Sequence, residues 1–408
     1  MREDSNKRFT GKRIGLGRPE MTQVKCFWCG TVNWKKLGIR KLASRQKQIY
    51  YCKACKRKFT GTFQPNLQEP LVKTEKKSYP INRRAYNNYQ KQEKELFLDI
   101  LHELCHRFNW NQSKVGRPNA LLSDLLFACC LKIYTGLSAR RLNSDIKALQ
   151  EQGYLRQAIS YSTTIKAFNL KELTQNLETL LRLSTYPLRE AETSFSVDST
   201  GFSTSVFSRW IDKKYGFDKK DRLWVKVHAM TGATKKIITA IHITESATAD
   251  STLFIPLVDS TAKDFKIEEV TADKAYSSRK NLQAVVDAGG LPYIPFRNNA
   301  TGNAKGSKVW STMYRYYMSN PQDFFETYHK RSNIEGVFSS IKRKFGHSLK
   351  TKTLTGNTNE LLCKAICHNI SMLIAEFNKI GINPEIVFGK SSVIRISHQD
   401  KNKGFSPL

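Results

Sequence analysis

The order of predicted strands and helices between residues 195 and 377 is the feature that most limits the folds open to this chain. Alternating apolar residues predict three successive strands, and a turn at 231–234 joins the second and third as a hairpin. Helical patterns then alternate with two further strands. The predicted strands are 195–200, 223–230, 237–244, 267–272 and 291–296, and the predicted helices are 250–258, 277–288, 323–345 and 359–377. This order predicts an α/β domain with a mixed five-stranded sheet flanked by helices.

Three acidic residues occupy informative places in this order. Asp198 ends the first strand, Asp273 follows the fourth strand, and Glu335 lies on the helix 323–345. This combination of strand order and acid placement is the RNase H-like arrangement. Three carboxylates at one edge of a sheet can hold two divalent cations about 4 Å apart, with Asp198 best placed to bridge them, and in-line phosphoryl transfer requires such a pair.

The helix that carries Glu335 has a specific spacing of polar residues, Tyr328-x2-Arg331-x3-Glu335-x6-Lys342. At 100° per residue these four side chains fall within an arc of about 60°. The apolar residues of the helix cluster roughly 95° away, which predicts one buried side and one side facing a groove. The alternative is a surface helix on which Glu335 only forms an i,i+4 ion pair with Arg331.

Residues 120–377 resemble the DDE transposases of prokaryotic insertion sequences, whose third-acid helix carries this same four-residue spacing. The resemblance implies that Asp198, Asp273 and Glu335 are the catalytic acids and that they bind two Mg²⁺ or Mn²⁺ ions. It also implies that the other three residues of the spacing contact or position DNA near the cut. Those residues are Tyr328, Arg331 and Lys342.

The implied activity is DNA transposition. Such an enzyme binds the terminal inverted repeats of an insertion sequence, cleaves a strand at each end, and uses the exposed 3′ hydroxyl to attack target DNA. Because two ends must be held at once, we expect a homodimer in the active complex. Two alternatives remain, namely a nuclease or resolvase of the same fold that does not join strands, and a repurposed DNA-binding relative without activity.

The charge of the chain indicates a polyanionic partner. Its formal net charge is +32 at pH 7, and residues 1–90 contain 22 Lys and Arg against 5 Asp and Glu. Such an excess attracts double-stranded DNA. The sequence contains no apolar run of 18 residues and no signal-peptide pattern, so we expect a soluble cytoplasmic protein without membrane contact, associated with the nucleoid if the host is prokaryotic.

The N-terminal region contains two cysteine pairs with metal-binding spacing. Cys26-x-x-Cys29 and Cys52-x-x-Cys55 are separated by 22 residues. Four thiolates can satisfy a tetrahedral Zn²⁺ site, so the pattern predicts a zinc ribbon, and the neighbouring lysines and aromatic residues suit DNA contact. The alternative is four unligated thiols in a flexible arm.

Five segments are predicted along the chain. A basic zinc ribbon at 1–60 is followed by a polar, proline-bearing linker at 61–92. Apolar residues at helical spacing predict a mainly helical DNA-binding domain at 93–190, with an all-α dimerisation module as the alternative. The RNase H-like catalytic domain occupies 191–380, and a basic tail occupies 381–408.

Three residues near the predicted site have less decisive roles. Asp250 fits a helix cap or turn residue better than a further catalytic acid. His228 fits a packed core histidine better than an assisting group. Tyr276 could stack on a flipped base or pack in the core, and the sequence does not decide between these roles.

Overall fold

The computed structural model describes residues 26, 29, 31–42, 45–61, 83–106, 120–204, 214, 224–245 and 248–380. The chain divides into two compact units, Met1–Pro80 and Ile81–Leu408. The predicted basic tail 381–408 and most of the predicted linker lie outside the described residues.

The first unit contains a three-stranded antiparallel sheet in the order β1-β2-β3. Its strands are β1 (Trp34–Leu42), β2 (Arg45–Cys52) and β3 (Lys58–Gly61). Among the described residues, the core of this unit consists of Cys26, Tyr50, Cys52 and Phe59, with Trp34 and Cys55 packed at its side. A metal ion bound beside a core of this size would add to the stability of the sheet.

The second unit contains the five-stranded sheet that the sequence predicts. The strands are β4 (Ser194–Ser203), β5 (Trp224–Gly232), β6 (Ile238–Glu245), β7 (Glu269–Ala272) and β8 (Leu291–Tyr293). Their order is β6-β5-β4-β7-β8. Strands β4, β5 and β6 pair antiparallel, whereas β7 pairs parallel with both β4 and β8. The sheet is therefore mixed, and the proline-containing β8 lies at its edge as predicted.

Eleven α-helices longer than one turn lie among the described residues of this unit. They are α1 (Arg83–His106), α2 (Leu122–Thr135), α3 (Ala139–Glu151), α4 (Tyr161–Ala167), α5 (Lys171–Thr185), α6 (Phe254–Ala262), α7 (Arg279–Asp287), α8 (Lys308–Ser319), α9 (Pro321–Tyr328), α10 (Ser332–Phe345) and α11 (Leu354–Ile380). In the part of the chain that the structure describes, none of the helices has the length and apolar character that crossing a membrane requires.

The predicted continuous helix 323–345 is wrong in one respect. A short 3₁₀ turn, His329–Arg331, separates α9 from α10. The side chains of Tyr328 and Arg331 therefore do not continue the regular 100° progression of α10. The segment 297–312, predicted as a loop, also contains the start of α8, which begins because the Ser307 hydroxyl accepts a hydrogen bond from the Trp310 N–H at 3.2 Å.

The helical region and the sheet share one hydrophobic core, which runs from Tyr89 on α1 to Phe377 on α11. Helix α11 packs against α1, α2 and α5 and also against β6. Helix α1 begins at Arg83, so the predicted linker ends about ten residues too late. The division at residue 190 falls inside a single compact unit, and a separate DNA-binding role for residues 93–190 stays a prediction.

A buried ion pair fixes the connection between α10 and α11. Lys364 and Glu360 have side chains only 2% exposed, and their charged groups are 3.4 Å apart. The Lys364 Nζ also donates to the carbonyl oxygens of Gly346 and Ser348, while Glu360 accepts the backbone N–H of Lys350 at 2.8 Å. Both ends of the loop after α10 are therefore tied to α11, which holds the Glu335-bearing helix in place.

Replacing Lys364 with Met should lower the free energy of unfolding by about 3 kcal/mol, because it leaves the Glu360 carboxylate buried without its cation. Urea unfolding followed by tryptophan fluorescence measures this change. Lys266→Met is the matched control, since Lys266 pairs with Glu268 at an exposed position and its loss should change nothing measurable. Equal midpoints for the two variants would contradict the role assigned to Lys364.

Candidate active site

The two aspartates of the predicted triad lie side by side because of the register between β4 and β7. These strands are parallel, and their last registered pair is Val197 with Ala272. The next residues are Asp198 and Asp273, so the two acids lie on adjacent strands about 4.8 Å apart. Asp273 directly follows β7 as predicted, but the prediction that Asp198 ends its strand is wrong, because β4 continues to Ser203 in its pairing with β5. The Asp273 Oδ1 accepts the backbone N–H of Lys274 at 2.6 Å, and the Asp198 Oδ1 accepts that of Ser199 at 2.9 Å.

Arg331 connects Glu335 to Asp198. The Arg331 Nη1 donates to Glu335 Oε1 at 3.0 Å, as the surface-pair alternative requires. The same nitrogen also donates to Asp198 Oδ2 at 3.2 Å, and the Arg331 side chain is only 17% exposed. The pair is therefore not a local surface feature, because the guanidinium joins the helix to the central strand of the sheet.

The charges of these residues act on one another. Burial raises the pKa of Asp198, and the negative charges of Asp273 and Glu335 raise it further. The Ser199 N–H and the Arg331 guanidinium act in the opposite direction on that pKa. The carboxyl of Asp198 thus interacts with both other acids, which places the three predicted acids in one electrostatic group.

Two further predicted residues differ in their distance from this group. Burial raises the pKa of Tyr328, and Arg331 and all three acids also act on it, so this residue lies within electrostatic range of the same group. Lys342 instead donates from Nζ to Thr200 Oγ1 at 2.6 Å and lies 5.1 Å from the centre of the Phe202 ring. Burial lowers the pKa of this lysine. Lys342 therefore contacts β4 beyond Asp198 instead of joining the acids.

The donor set of the three acids fits a hard divalent cation, because Mg²⁺ and Mn²⁺ prefer carboxylate oxygens. Two of these oxygens, on Asp198 and Glu335, accept hydrogen bonds from Arg331. A cation bound there must therefore share or take the place of the guanidinium. The donor chemistry fits, and the arrangement of charges requires Arg331 to adjust.

Four cysteines in the first unit form a separate candidate metal centre. Among the described residues, Cys26, Cys29, Cys52 and Cys55 are the group whose ligand atoms all lie within 4.8 Å of one another. Their Sγ atoms approach pairwise at 3.6 Å for Cys26 with Cys55 and 3.5 Å for Cys29 with Cys52. The Cys55 N–H lowers the pKa of Cys52 to about 7, which favours the thiolate that a metal binds, whereas burial raises the pKa of Cys55 to about 12. This cluster could bind zinc.

The structure also groups residues that sequence reasoning left apart. Asp250 begins a 3₁₀ turn but caps no helix, because its carboxylate lies 2.6 Å from Lys226 Nζ and 3.3 Å from His228 Nδ1. Asp250 is therefore a turn residue, which is one of the two roles predicted for it, and not a helix cap. His228 is fully buried, as predicted, and its Nε2 contacts Thr244 Oγ1 at 2.9 Å. Tyr276 is 2% exposed, so its ring is not available to stack on a base.

One signal in the sequence could have found part of this group. Lys226 and His228 are two residues apart on a strand, which places both side chains on the same face. No pattern in the sequence connects them to Asp250 or Tyr276, which come from other elements of the fold.

Comparison with known proteins locates this site within a family. Residues 190–370 match the family model described as the transposase DDE domain. The chain is 25% identical over 263 residues to a protein of Archaeoglobus fulgidus described as a probable transposase for insertion sequence element ISA1214, a match that covers 64% of this chain and 77% of the relative. A solved synaptic complex of the piggyBac transposase with hairpin DNA aligns at a TM-score of 0.33 and 12% identity, over 71% of this chain and 74% of that chain.

The matched residues include the whole sheet, the Glu335-bearing helix and most of α11. Residues 190–370 therefore match a transposase DDE domain. This match and the archaeal relative support a DDE transposase of insertion sequences.

Replacing Asp198 with Asn should raise the thermal midpoint at about pH 7, because burial and two neighbouring acids disfavour the charged carboxylate in the folded chain. A folded pKa above the unfolded one means that the folded chain binds the proton more tightly. The wild type therefore loses stability as the pH rises from the unfolded to the folded pKa, and the gain of the variant should vanish toward about pH 3.

Scanning calorimetry at both pH values measures this effect. Asp264→Asn is the control, because Asp264 forms a favourable 2.8 Å pair with Arg182 and its neutralisation should not raise the midpoint. A thermal midpoint for Asp198→Asn at or below that of the wild type at neutral pH would contradict the prediction that the charged Asp198 carboxylate destabilises the folded chain.

Proposed function

We propose that this transposase cleaves one DNA strand at each end of its element and joins the exposed 3′ hydroxyl to target DNA, with Asp198, Asp273 and Glu335 as its catalytic acids. The observation that carries the proposal is the Arg331 guanidinium, which connects Glu335 to Asp198 on the strand next to Asp273. A surface ion pair has no need for that second contact. The strand order, with β4 at the centre and β6 at one edge, supports an RNase H-like fold.

The three acids would hold two divalent cations, Mg²⁺ or Mn²⁺. Bound there, the ions would supply an activated nucleophile and a stabilised leaving oxygen. The parallel register of β4 and β7 fixes the spacing of Asp198 and Asp273. Glu335, whose side chain is 63% exposed, stands on the solvent side of this pair and can approach the scissile phosphate. Asp198 interacts electrostatically with both other acids, which would suit a carboxylate that bridges both ions.

Arg331, Tyr328 and Lys342 would contact the DNA near the cut. Arg331 exchanges its carboxylate partners for a phosphate oxygen of similar charge and geometry as the DNA and cations arrive. Lys342, on α10, contacts β4 at Thr200 and can reach a neighbouring phosphate, while Tyr328 lies within electrostatic range of the acids. These three residues would orient the strand so that its phosphate lies over the two aspartates.

The excess of positive charge supports binding to double-stranded DNA at the terminal inverted repeats and at the target. Two ends must be aligned for a productive reaction, so we propose a homodimer in the active complex. In a prokaryotic host the enzyme would act at the nucleoid. The competing function is a nuclease of the same fold that cuts without joining, and a strand-transfer assay separates the two.

Replacing Asp273 with Ala should reduce cleavage of a DNA fragment that carries the element's ends by at least about 100-fold, because a ligand of the reacting centre is removed. Binding to the same fragment should remain within about twofold, since Asp273 contributes no positive charge. Gel assays of cleavage and of binding, with Mg²⁺ present, measure the two quantities separately.

Asp264→Ala is the matched acidic control, because Asp264 pairs with Arg182 and lies outside the site. Retained cleavage by Asp273→Ala would overturn the assignment of the triad. Cleavage without joining by the wild type would favour the nuclease. Binding without cleavage by the wild type would favour an inactive relative.

We propose that Zn²⁺ occupies the four-cysteine centre of the first unit. Purified protein loaded with Co²⁺ should show the visible absorption of a tetrahedral thiolate site, because four thiolates at this spacing impose that geometry. Cys52→Ser should weaken the band, whereas Cys105→Ala should leave it intact, since Cys105 is a buried core residue of the second unit. A spectrum typical of octahedral Co²⁺ in the wild type would rule out the proposed site.

A further inference from the structure

Some of the buried polar atoms without hydrogen-bond partners belong to residues close to the two aspartates, on the strand beside Ser199 and in the turn after Asp273. Within the described part of the chain, five buried side-chain atoms lack a partner of normal hydrogen-bond geometry, namely His228 Nδ1, Thr231 Oγ1, Asp250 Oδ1, Tyr276 OH and Ser277 Oγ. The histidine and the aspartate of this set at least form an ion-pair contact at 3.3 Å. The Tyr276 hydroxyl has no such contact. Native proteins satisfy most buried polar groups, so an exception at a candidate site requires an explanation.

The Tyr276 side chain is held rigidly in the turn after Asp273. It ends the short 3₁₀ turn that follows Asp273, and its N–H donates to the Asp273 carbonyl at 2.9 Å. Its own carbonyl accepts the Asn281 Nδ2 at 2.8 Å, and its ring lies 5.6 Å from that of Phe254. The hydroxyl therefore has a fixed position and does not reach solvent.

The surroundings of this hydroxyl are negatively charged. Asp250 and Asp198 both act on it electrostatically, and the Ser199 side chain also lies near it. In the sheet, Ser199 is paired with His228, so the hydroxyl lies beside the part of β4 that carries Asp198. Burial raises the pKa of Tyr276, which keeps the phenol protonated and able to donate one hydrogen bond.

The fold itself gains nothing from this hydroxyl. A buried polar group that lacks a partner is unfavourable, and an apolar residue of the same shape in its place is neutral or stabilising. Phenylalanine would fill the same space against Phe254 without that cost. A tyrosine at this position is therefore better explained by the reaction than by the stability of the fold.

We propose that Tyr276 is a positioning residue that donates its hydroxyl hydrogen to the Asp198 carboxylate and so orients it for the divalent cations. The Ser199 N–H already holds one oxygen of that carboxylate, and Arg331 holds the other. When a cation takes the place of Arg331, the phenol supplies the second fixed contact. Because the same residue is bonded to the Asp273 carbonyl, one rigid turn sets the two aspartates relative to each other. This inference rests on the proposed catalytic role of Asp198.

Asp250 is the second acid that acts on the Tyr276 hydroxyl. Its carboxylate is held by Lys226 at 2.6 Å and by His228 at 3.3 Å. The cation of Lys226 offsets the charge of Asp250, which leaves Asp198 as the acceptor without a fixed cation once Arg331 moves. The phenol of Tyr276 therefore donates its hydrogen bond to Asp198 once Arg331 has moved away.

The test is Tyr276→Phe in the full chain, with Mn²⁺ binding followed by electron paramagnetic resonance in the absence of turnover. Partners that orient metal ligands typically affect metal affinity by 10- to 100-fold, so we expect Mn²⁺ affinity to fall by about 10-fold. The Mg²⁺ concentration for half-maximal cleavage should rise by a similar factor. The thermal midpoint should stay unchanged or rise, and affinity for the DNA ends should not change.

Tyr314→Phe is the matched control, because the Tyr314 hydroxyl donates to the Ala300 carbonyl at 3.3 Å in another part of the unit. It should leave Mn²⁺ affinity unchanged. Wild-type Mn²⁺ affinity in Tyr276→Phe would overturn the role of Tyr276 alone, as would a lowered thermal midpoint together with weakened DNA binding. If the wild type binds no Mn²⁺ and cleaves no DNA, the proposed function fails, and the role of Tyr276 fails with it.

Discussion

The parallel pairing of β4 with β7 is the constraint on which the rest of the site depends. It brings Val197 opposite Ala272, so the two following acids lie together on adjacent strands of the sheet. A slip of one residue in either strand would turn one acid toward the opposite face. The turn that carries Tyr276 and the helix α10 that carries Glu335 both lie beside these two acids. Their contacts with the acids therefore depend on this register.

The three acids of the candidate site repel one another electrostatically. Three acids near one another raise the energy of the folded chain, and Arg331 offsets this for two of them. The buried phenol of Tyr276 is a second local departure from the most stable arrangement. Elsewhere the same unit satisfies its buried charges closely, as the contacts of Lys364 and Glu360 illustrate. The exceptions thus lie where chemistry is proposed, which is where functional proteins usually depart from rules of stability.

The sequence predicts the framework of this site well and its details poorly. Alternation in 195–200 and the neighbouring segments predicts all five strands, because the period of two is a local signal. The interruption of the helix at His329–Arg331 was missed, because the helical residues on both sides share one apolar face and give no sign of a 3₁₀ turn.

The contacts of Asp250 could not be predicted for a different reason. Periodicity reports which face a residue occupies, but it carries no information on which distant polar group it meets. The placement of Asp273 directly after a strand needed only local patterns, whereas the connection of Arg331 to Asp198 depends on how a helix docks on the sheet.

Helix α11 gives the second unit a property that its strand order alone does not. Its apolar residues are covered on one side by α1, α2 and α5 and on another by β6, so the helical region and the sheet have a common interior. A fragment that began at residue 190 would expose to water the apolar side of α11 that α1, α2 and α5 cover. Exposed apolar patches of that kind promote aggregation. The helices before the sheet therefore cannot be exchanged for those of another protein unless α11 is redesigned with them.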